Sequence, residues 1–337
     1  MECPRIPANG QQLLAGALAV LLLLALASCG AGRKVACGPE NYREFSDSVA
    51  MQRIVGFLAS DALGGRDTGS EGLEQAATYL EGRLKDFGIQ PYFDAYRDTL
   101  TNIEDTGYNI VGYLQGSEPG LSGEYVLIGA HYDHIGRVAP REGDSIANGA
   151  NDNATGTAMV LELARFFARC KPPARSLVFA FFSAEERGLM GSAHLAKRLK
   201  AQGADLYAML NFEMTGVPMA GKDYRVYLTG YERSNLAEVA NELAGSKLVG
   251  LLPQAQEFNL FQRSDNLPFY QEFQVPAHTF STFDFTNFDY YHLPGDEPSG
   301  MDFGHMAELL NDLIPVVKGI ADSPPATLKM YPWPESQ

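Results

Sequence analysis

The sequence predicts an α/β fold with one central, mainly parallel (mixed) β-sheet and helices on both faces. Two observations carry this. Short apolar runs of strand length alternate along the chain with longer segments of helical period, and conspicuous polar side chains gather just after the strand-like runs. The 337 residues, 45% hydrophobic and 20% charged, suffice for a large domain with a substantial core.

Residues 13–27 (LLAGALAVLLLLALA) are apolar, uncharged and short for a bilayer span, and they end in small residues as a secretory signal does. Residues 1–28 are therefore set apart from the fold as a leader. Residues 26–29 (LASC) resemble the lipobox of bacterial lipoproteins, which implies an acylated Cys29 at the mature N-terminus. Such a chain would be exported to the cell envelope, periplasmic or surface-facing, and tethered to a membrane without spanning it. The alternative is an ordinary cleaved signal with Cys29 incidental. Small residues over 29–40 read as a tether, 41–325 as a single domain and 326–337 as a C-terminal tail.

Within the domain, Leu73, Ala76, Ala77, Leu80, Leu84 and Phe87 recur at helical spacing and close on Gly88, predicting a helix over 72–87. Strands follow at 125–130 (YVLIGA), 176–182, 206–212, 225–229 and 277–280. Helices are expected at 154–168, 191–201 and 235–244, with a long closing helix at 304–320. Strands separated by helices imply parallel pairing, and ligands of such sheets bind outside the carboxyl ends of the strands.

A formal net charge of −15 argues against a nucleic-acid surface, since neutralising phosphates takes a basic patch and no segment supplies one. Once Cys29 is committed to a lipid, Cys37 and Cys170 remain as thiols of the exported domain. Their spacing leaves pairing open; Cys170, closing a helical run, reads as a small buried hydrophobe. No CxxC occurs, so a thiolate metal site has no support.

The polar residues fall where the sheet rule wants them. His131 and Asp133 follow one strand, Glu185 and Glu186 a second, and Glu213 a third. Residues 149–153 (GANDN) precede a helix, and Tyr290, Tyr291, His292 and Asp296 follow the last strand. The adjacent Glu185 and Glu186 pose a physical question, because two carboxylates about 4 Å apart repel by roughly 4 kcal/mol at an effective dielectric of about 20. A cation nearby resolves it. Convergent His, Asp and Glu without Cys make a nitrogen and oxygen site suited to zinc or a related divalent ion. There are more candidate ligands than one tetrahedral zinc takes, so two metals are the natural inference. Neighbours at a strand end point in different directions, so one glutamate can bind metal while the other serves a water. Spacing alone leaves open which does which.

Six segments together are specific: 58–70 (LASDALGGRDTGS), 130–136 (AHYDHIG), 149–156 (GANDNATG), 183–192 (SAEERGLMGS), 211–216 (NFEMTG) and 291–296 (YHLPGD). In this order they resemble the M28 family of zinc metallopeptidases, bacterial aminopeptidases of the two-zinc kind, and so imply a zinc-exopeptidase-like fold. The resemblance implies two divalent metals, zinc, with Asp152 bridging them. It implies His131 and Glu213 as further ligands of one and Glu186 and His292 of the other. Glu185 would be the general base, and Asp133 would hydrogen-bond His131 and fix its tautomer. Glu213 departs from the Asp of better-known members, an extra methylene for the backbone to absorb.

Peptide substrates and hydrolysis of N-terminal residues are the expected function. His134 is expected outside the metal ligands, hydrogen-bonded to them or solvated, and His194, His278 and His305 are expected to be structural. The aromatic stretches 258–270 and 280–291 are candidates to line a side-chain pocket, with Asp265 near the site. Rivals on the same scaffold are a carboxypeptidase, for which Arg187 and Arg137 are the nearby cations, and a single-zinc glutaminyl cyclase. A catalytically retired binding protein is a third, though no ligand is lost.

Overall fold

A strand buried on both faces needs apolar side chains at nearly every position, and the segment SLVFAFF (Ser176–Phe182) has them. Leu177, Phe179 and Phe181 face one core, and Val178, Ala180 and Phe182 face the other. The computed structural model describes residues 37–38 and 42–332; the leader, Cys29 and its acylation lie outside the described residues. Among the described residues, no helix is long and apolar enough to cross a membrane.

Numbered along the chain, the strands are β1 (Gln90–Pro91), β2 (Arg97–Thr99), β3 (Tyr108–Leu114), β4 (Glu124–His131), β5 (Arg137–Arg141), β6 (Asp144–Ile146), β7 (Ser176–Phe182), β8 (Asp205–Phe212), β9 (Val226–Leu228), β10 (Val249–Gly250) and β11 (Ala277–Ser281). The main sheet runs β1-β3-β7-β4-β8-β11-β9-β10, with β2 also paired to β3. Its centre, β7-β4-β8-β11, is parallel, while β3 pairs antiparallel with β7 and β9 antiparallel with β11. The predicted mixed, mainly parallel sheet is therefore present. The antiparallel flank and the small β5-β6 hairpin are additions to it.

Helices cover both faces. Those named below are α1 (Ser48–Leu58), α2 (Glu71–Phe87), α3 (Gly156–Arg169), α4 (Met190–Ala201), α5 (Leu236–Ala244), α6 (Pro253–Glu257), α7 (Asn266–Phe273) and α8 (Phe303–Asp322). Side chains of α1, α2, α3, α5 and α8 pack on one face, and those of α4 and α7 on the other. The expected helix at 72–87 has its caps in place: the Ser70 hydroxyl accepts from the Leu73 N–H, and Gly88 closes it at φ 76°.

Cys37 and Cys170 are joined in a disulfide with their Cα atoms 5.5 Å apart. The expectation of Cys170 as a lone buried hydrophobe is thus corrected. It is buried, but at the C-cap of α3 it meets the chain's N-terminal approach, where the Tyr42 hydroxyl also donates to the Cys37 carbonyl. Sequence separation gave no hint of that meeting.

His278 lies fully buried in β11, as the structural role predicted. Its Nδ1 is 2.8 Å from the Thr229 carbonyl, to which it donates, and its Nε2 accepts from Ser234 Oγ at 2.7 Å. Burial pulls the ring down to about 4 from its ordinary 6.5, opposed by the Thr229 carbonyl. The folded chain keeps the imidazole neutral where the unfolded chain protonates it. Stability from this group is complete above pH 6.5 and is lost as the pH falls towards about 4, a swing of about 3 kcal/mol. His278→Gln is expected to flatten that part of the profile. Urea unfolding of the two proteins from about pH 7 to pH 4 checks this; parallel profiles would refute it.

Candidate metal centre

The three central strands deliver the acidic and imidazole groups to one rim. β4 ends on His131 and leads to Asp133 and His134; its neighbour β7 leads to Glu185 and Glu186; β8 on the other side leads to Glu213. The loop after β11 brings His292, and the turn before α3 brings Asp152. Gly156 lets that turn approach β8 closely, since a Cβ there would lie 2.2 Å from the Phe212 carbonyl oxygen. Asn153 completes the junction. Its Nδ2 donates to Phe212 O, and its Oδ1 accepts from the Gly156 and Met214 N–H groups, so Asp152 and Glu213 are held side by side.

Two groups of ligand-type atoms result, each within 4.8 Å: His131, Glu185 and Glu213, and His134, Asp152, Glu186 and His292. Asp152 lies between them, with Oδ1 3.4 Å from His131 Nε2 and Oδ2 3.2 Å from His292 Nε2. Glu186 Oε2 is 3.1 Å from His292 Nε2, and its Oε1 is 2.8 Å from His134 Nδ1. All the sequence-predicted ligands are therefore brought together, together with the proposed base Glu185. His134 joins them. It is completely buried, which corrects the alternative of a solvated ring, and it sits against Glu186 inside the second group.

The donor set fits metal. His131 Nε2 and His292 Nε2 are buried and make no hydrogen bond, although carboxylate oxygens lie 3.1–3.4 Å away. Imidazole nitrogens crowded by carboxylates yet unbonded to them are placed as ligands around a shared cation are placed.

Two further aspartates hold the backbone that carries these groups. Asp133 was expected to fix His131 through its carboxylate, but the nearer acceptor to His131 Nδ1 is the Asp133 carbonyl at 3.3 Å, with Oδ1 at 3.7 Å. The carboxylate instead receives the N–H of Glu185 at 3.2 Å and of Glu186 at 3.4 Å. Asp296 does the same for the other loop, accepting from the N–H of Asn151 at 2.7 Å and of Asp152 at 3.0 Å. Arg66, from the GGR segment, is fully buried and donates to the carbonyls of Leu58, Tyr132, Asn148 and Gly149. It ties the loop after β4 to the turn that carries Asp152. Gly65 before it, at φ 79°, is required because a Cβ would lie 2.4 Å from the Ala147 carbonyl oxygen.

The charges are unequal. Burial pushes the Glu185 carboxyl well up; His131 opposes this, while Glu213, Asp265 and Glu186 add to it. Glu213 is pushed up to about 7, first by burial, with Asp152 and Asp265 adding and His131 and the Ser264 hydroxyl bond opposing. Asp152 goes the other way: burial would raise it, but His131, His292 and His134 together hold it well below its ordinary range. Asp265, which the sequence placed near the site, is fully buried with neither carboxylate oxygen hydrogen-bonded, and burial pushes it up to about 7.

A cavity of about 140 Å³ opens beside Asp152, Glu185 and Glu213, some ten times the space one water needs. Both aromatic stretches contribute to it: Leu260, Arg263 and Ser264 from the first, Phe283, Phe285 and Tyr291 from the second. Arg187 and Arg137, the cations expected nearby, are not among its lining. Arg187 is paired with Asp67 and Asp105, and Arg137 donates to Ser145.

The sequence profile of Peptidase family M28 matches residues 109–314. The chain belongs to this family. A curated relative, "Probable leucine aminopeptidase" of Arthroderma otae, is 29% identical over 72% of this chain, which spans 63% of that relative's length. Among solved structures, an aminopeptidase from Aneurinibacillus sp. strain AM-1 superposes with a TM-score of 0.64 at 17% identity, covering 84% of this M28 chain and 96% of its own. The glutaminyl cyclase of Porphyromonas gingivalis superposes with a TM-score of 0.61 at 16% identity, covering 80% and 97%. These structural likenesses are of fold, common to both activities.

Proposed function

We infer that the chain is a metal-dependent aminopeptidase that removes N-terminal residues from peptides and holds two divalent ions, zinc, between its two ligand groups. The observation that carries this is Asp152, whose two oxygens face different groups. With Asp152 Oδ1 beside His131, the set His131, Asp152 and Glu213 serves one ion without Glu185, and Asp152, Glu186 and His292 serve the other. Bound there, the ions would polarise the scissile carbonyl and lower the pKa of the attacking water.

The rest is the chain's own work. Glu185, freed from ligation and with a carboxyl that burial makes readier to take a proton, accepts the water's proton and returns it to the leaving amine. Asp133 fixes where Glu185 stands by holding its N–H. The acidic lining of the cavity favours an α-ammonium group, as a free N-terminus supplies. The Cys37–Cys170 pair supports export, since disulfides persist in oxidising compartments, and export agrees with a leader over residues 1–28 followed by an acylated Cys29.

Metal content per chain and amino-acid release from free and N-acetylated peptides test the reading. Two ions, and cleavage that acetylation abolishes, are expected. One ion, with N-terminal glutamine cyclised and no chain shortening, would replace it with the cyclase.

A further inference from the structure

The lining of the cavity contains three carboxylates, Asp152, Glu185 and Glu213, and a single cationic residue, Arg263. Among the described residues the guanidinium of Arg263 has neither a hydrogen bond nor an ion pair, and it is exposed. Its backbone is fixed, however: its N–H bonds the Leu260 carbonyl at 3.0 Å, and the next residue, Ser264, donates its hydroxyl to Glu213. A free cation is thus anchored next to the metal centre in a chain with 41 acidic and 26 basic residues, where carboxylate partners abound.

The neutral side chains around Arg263 are largely engaged already. Ser264 and Thr279 bond each other and Asn211, Thr229 Oγ1 accepts from the Thr279 N–H, and Ser281 Oγ accepts from the Phe283 N–H. The lining also has an aromatic part: the Phe283 and Phe285 rings meet tilted at 4.7 Å, and Phe283 and Tyr291 stack at 5.9 Å. The methylenes of a substrate side chain can lie against those rings, leaving Arg263 to meet whatever polar end it carries. A guanidinium presents a planar fork of donors that matches a carboxylate with two parallel hydrogen bonds.

We propose that Arg263 selects substrates whose N-terminal residue is aspartate or glutamate. This rests on the aminopeptidase reading above and names the substrate class of that site. Replacing Glu by the isosteric Gln in the substrate removes the charge and keeps the shape, so the kcat/KM ratio of the two isolates the guanidinium's contribution. A charge-assisted pair formed in this cavity is expected to favour Glu over Gln by about tenfold to a hundredfold.

The experiment measures kcat/KM for peptides differing only in the first residue, Glu, Gln, Leu or Lys, on the metal-loaded protein and on Arg263→Met, Arg263→Lys and Arg263→Glu. Thermal unfolding and metal content of each variant are compared with the parent, so that a folding defect is recognised as such. In the parent, Glu should exceed Gln. Arg263→Met should bring the ratio to about one, Arg263→Lys should keep part of it, and Arg263→Glu should turn the preference towards Lys. A parent that cleaves Gln as well as Glu, or a ratio that survives Arg263→Met, overturns the proposal and leaves the aminopeptidase reading standing. Release of no first residue from any of the four peptides overturns both.

Discussion

Glu185→Gln is expected to keep the metal content of the parent and to lose about 10²–10⁴-fold in kcat, the usual contribution of a positioned general base. Glutamine has the shape of glutamate and still leaves the backbone N–H at this position for Asp133 Oδ1, 3.2 Å away. What it cannot do is take up a proton. Burial raises the carboxyl of Glu185, with Glu213, Asp265 and Glu186 adding and His131 opposing. Glu185 also stands within 4.8 Å of His131 and Glu213, so a ligand's role is the competing account. Metal analysis beside the kinetics separates the two. Activity lost with metal retained supports the base; activity and metal lost together make Glu185 a ligand, and near-normal turnover removes it from both roles.

The fold was legible where burial is complete. β4, β7 and β8 are buried on both faces, so their sequences are continuous apolar runs, and α2 carries both its period and its caps. The antiparallel flank was not legible, because β3 mixes its apolar residues with Asn109, a buried side chain that donates to Asp98 and to the Gly191 carbonyl. Those partners lie 11 and 82 residues away, and no local pattern announces them. The site divides in the same way. His131, Glu185, Glu186 and Glu213 follow parallel strands directly, so the rule that such strands aim their C-termini at ligands was enough. His134 depends on how its loop is folded back, with its N–H on the Arg66 carbonyl at 3.3 Å and Gly136 N–H on Gly65 at 3.1 Å. Its signal in the sequence was only its position three residues after His131. Arg263 carried no signal at all, since what distinguishes it is a guanidinium left without a carboxylate partner beside the metal centre, which no local pattern announces.

Asp152→Ala is expected to empty both ligand groups at once. The carboxylate is nearly completely buried, with one oxygen 3.4 Å from His131 Nε2 and the other 3.2 Å from His292 Nε2 and 3.8 Å from His134 Nδ1. Its charge is the most strongly enforced in the centre. Burial works against ionisation, and His131, His292 and His134 outweigh it, holding the group well below its ordinary range. Losing a partner that only supports a metal ligand costs about 10–100-fold in affinity, and removing a carboxylate placed between two groups should cost more at each of them. The main chain itself is held independently, since Asp296 accepts from the N–H groups of both Asn151 and Asp152, contacts that alanine preserves. The variant should therefore fold with its turn in place, release no amino acids, and bind neither ion at concentrations that saturate the parent. Calorimetric titration with zinc decides the matter: two sites lost together fit a bridging Asp152, whereas one site retained at parental affinity assigns it to a single ion and requires the two groups to act independently.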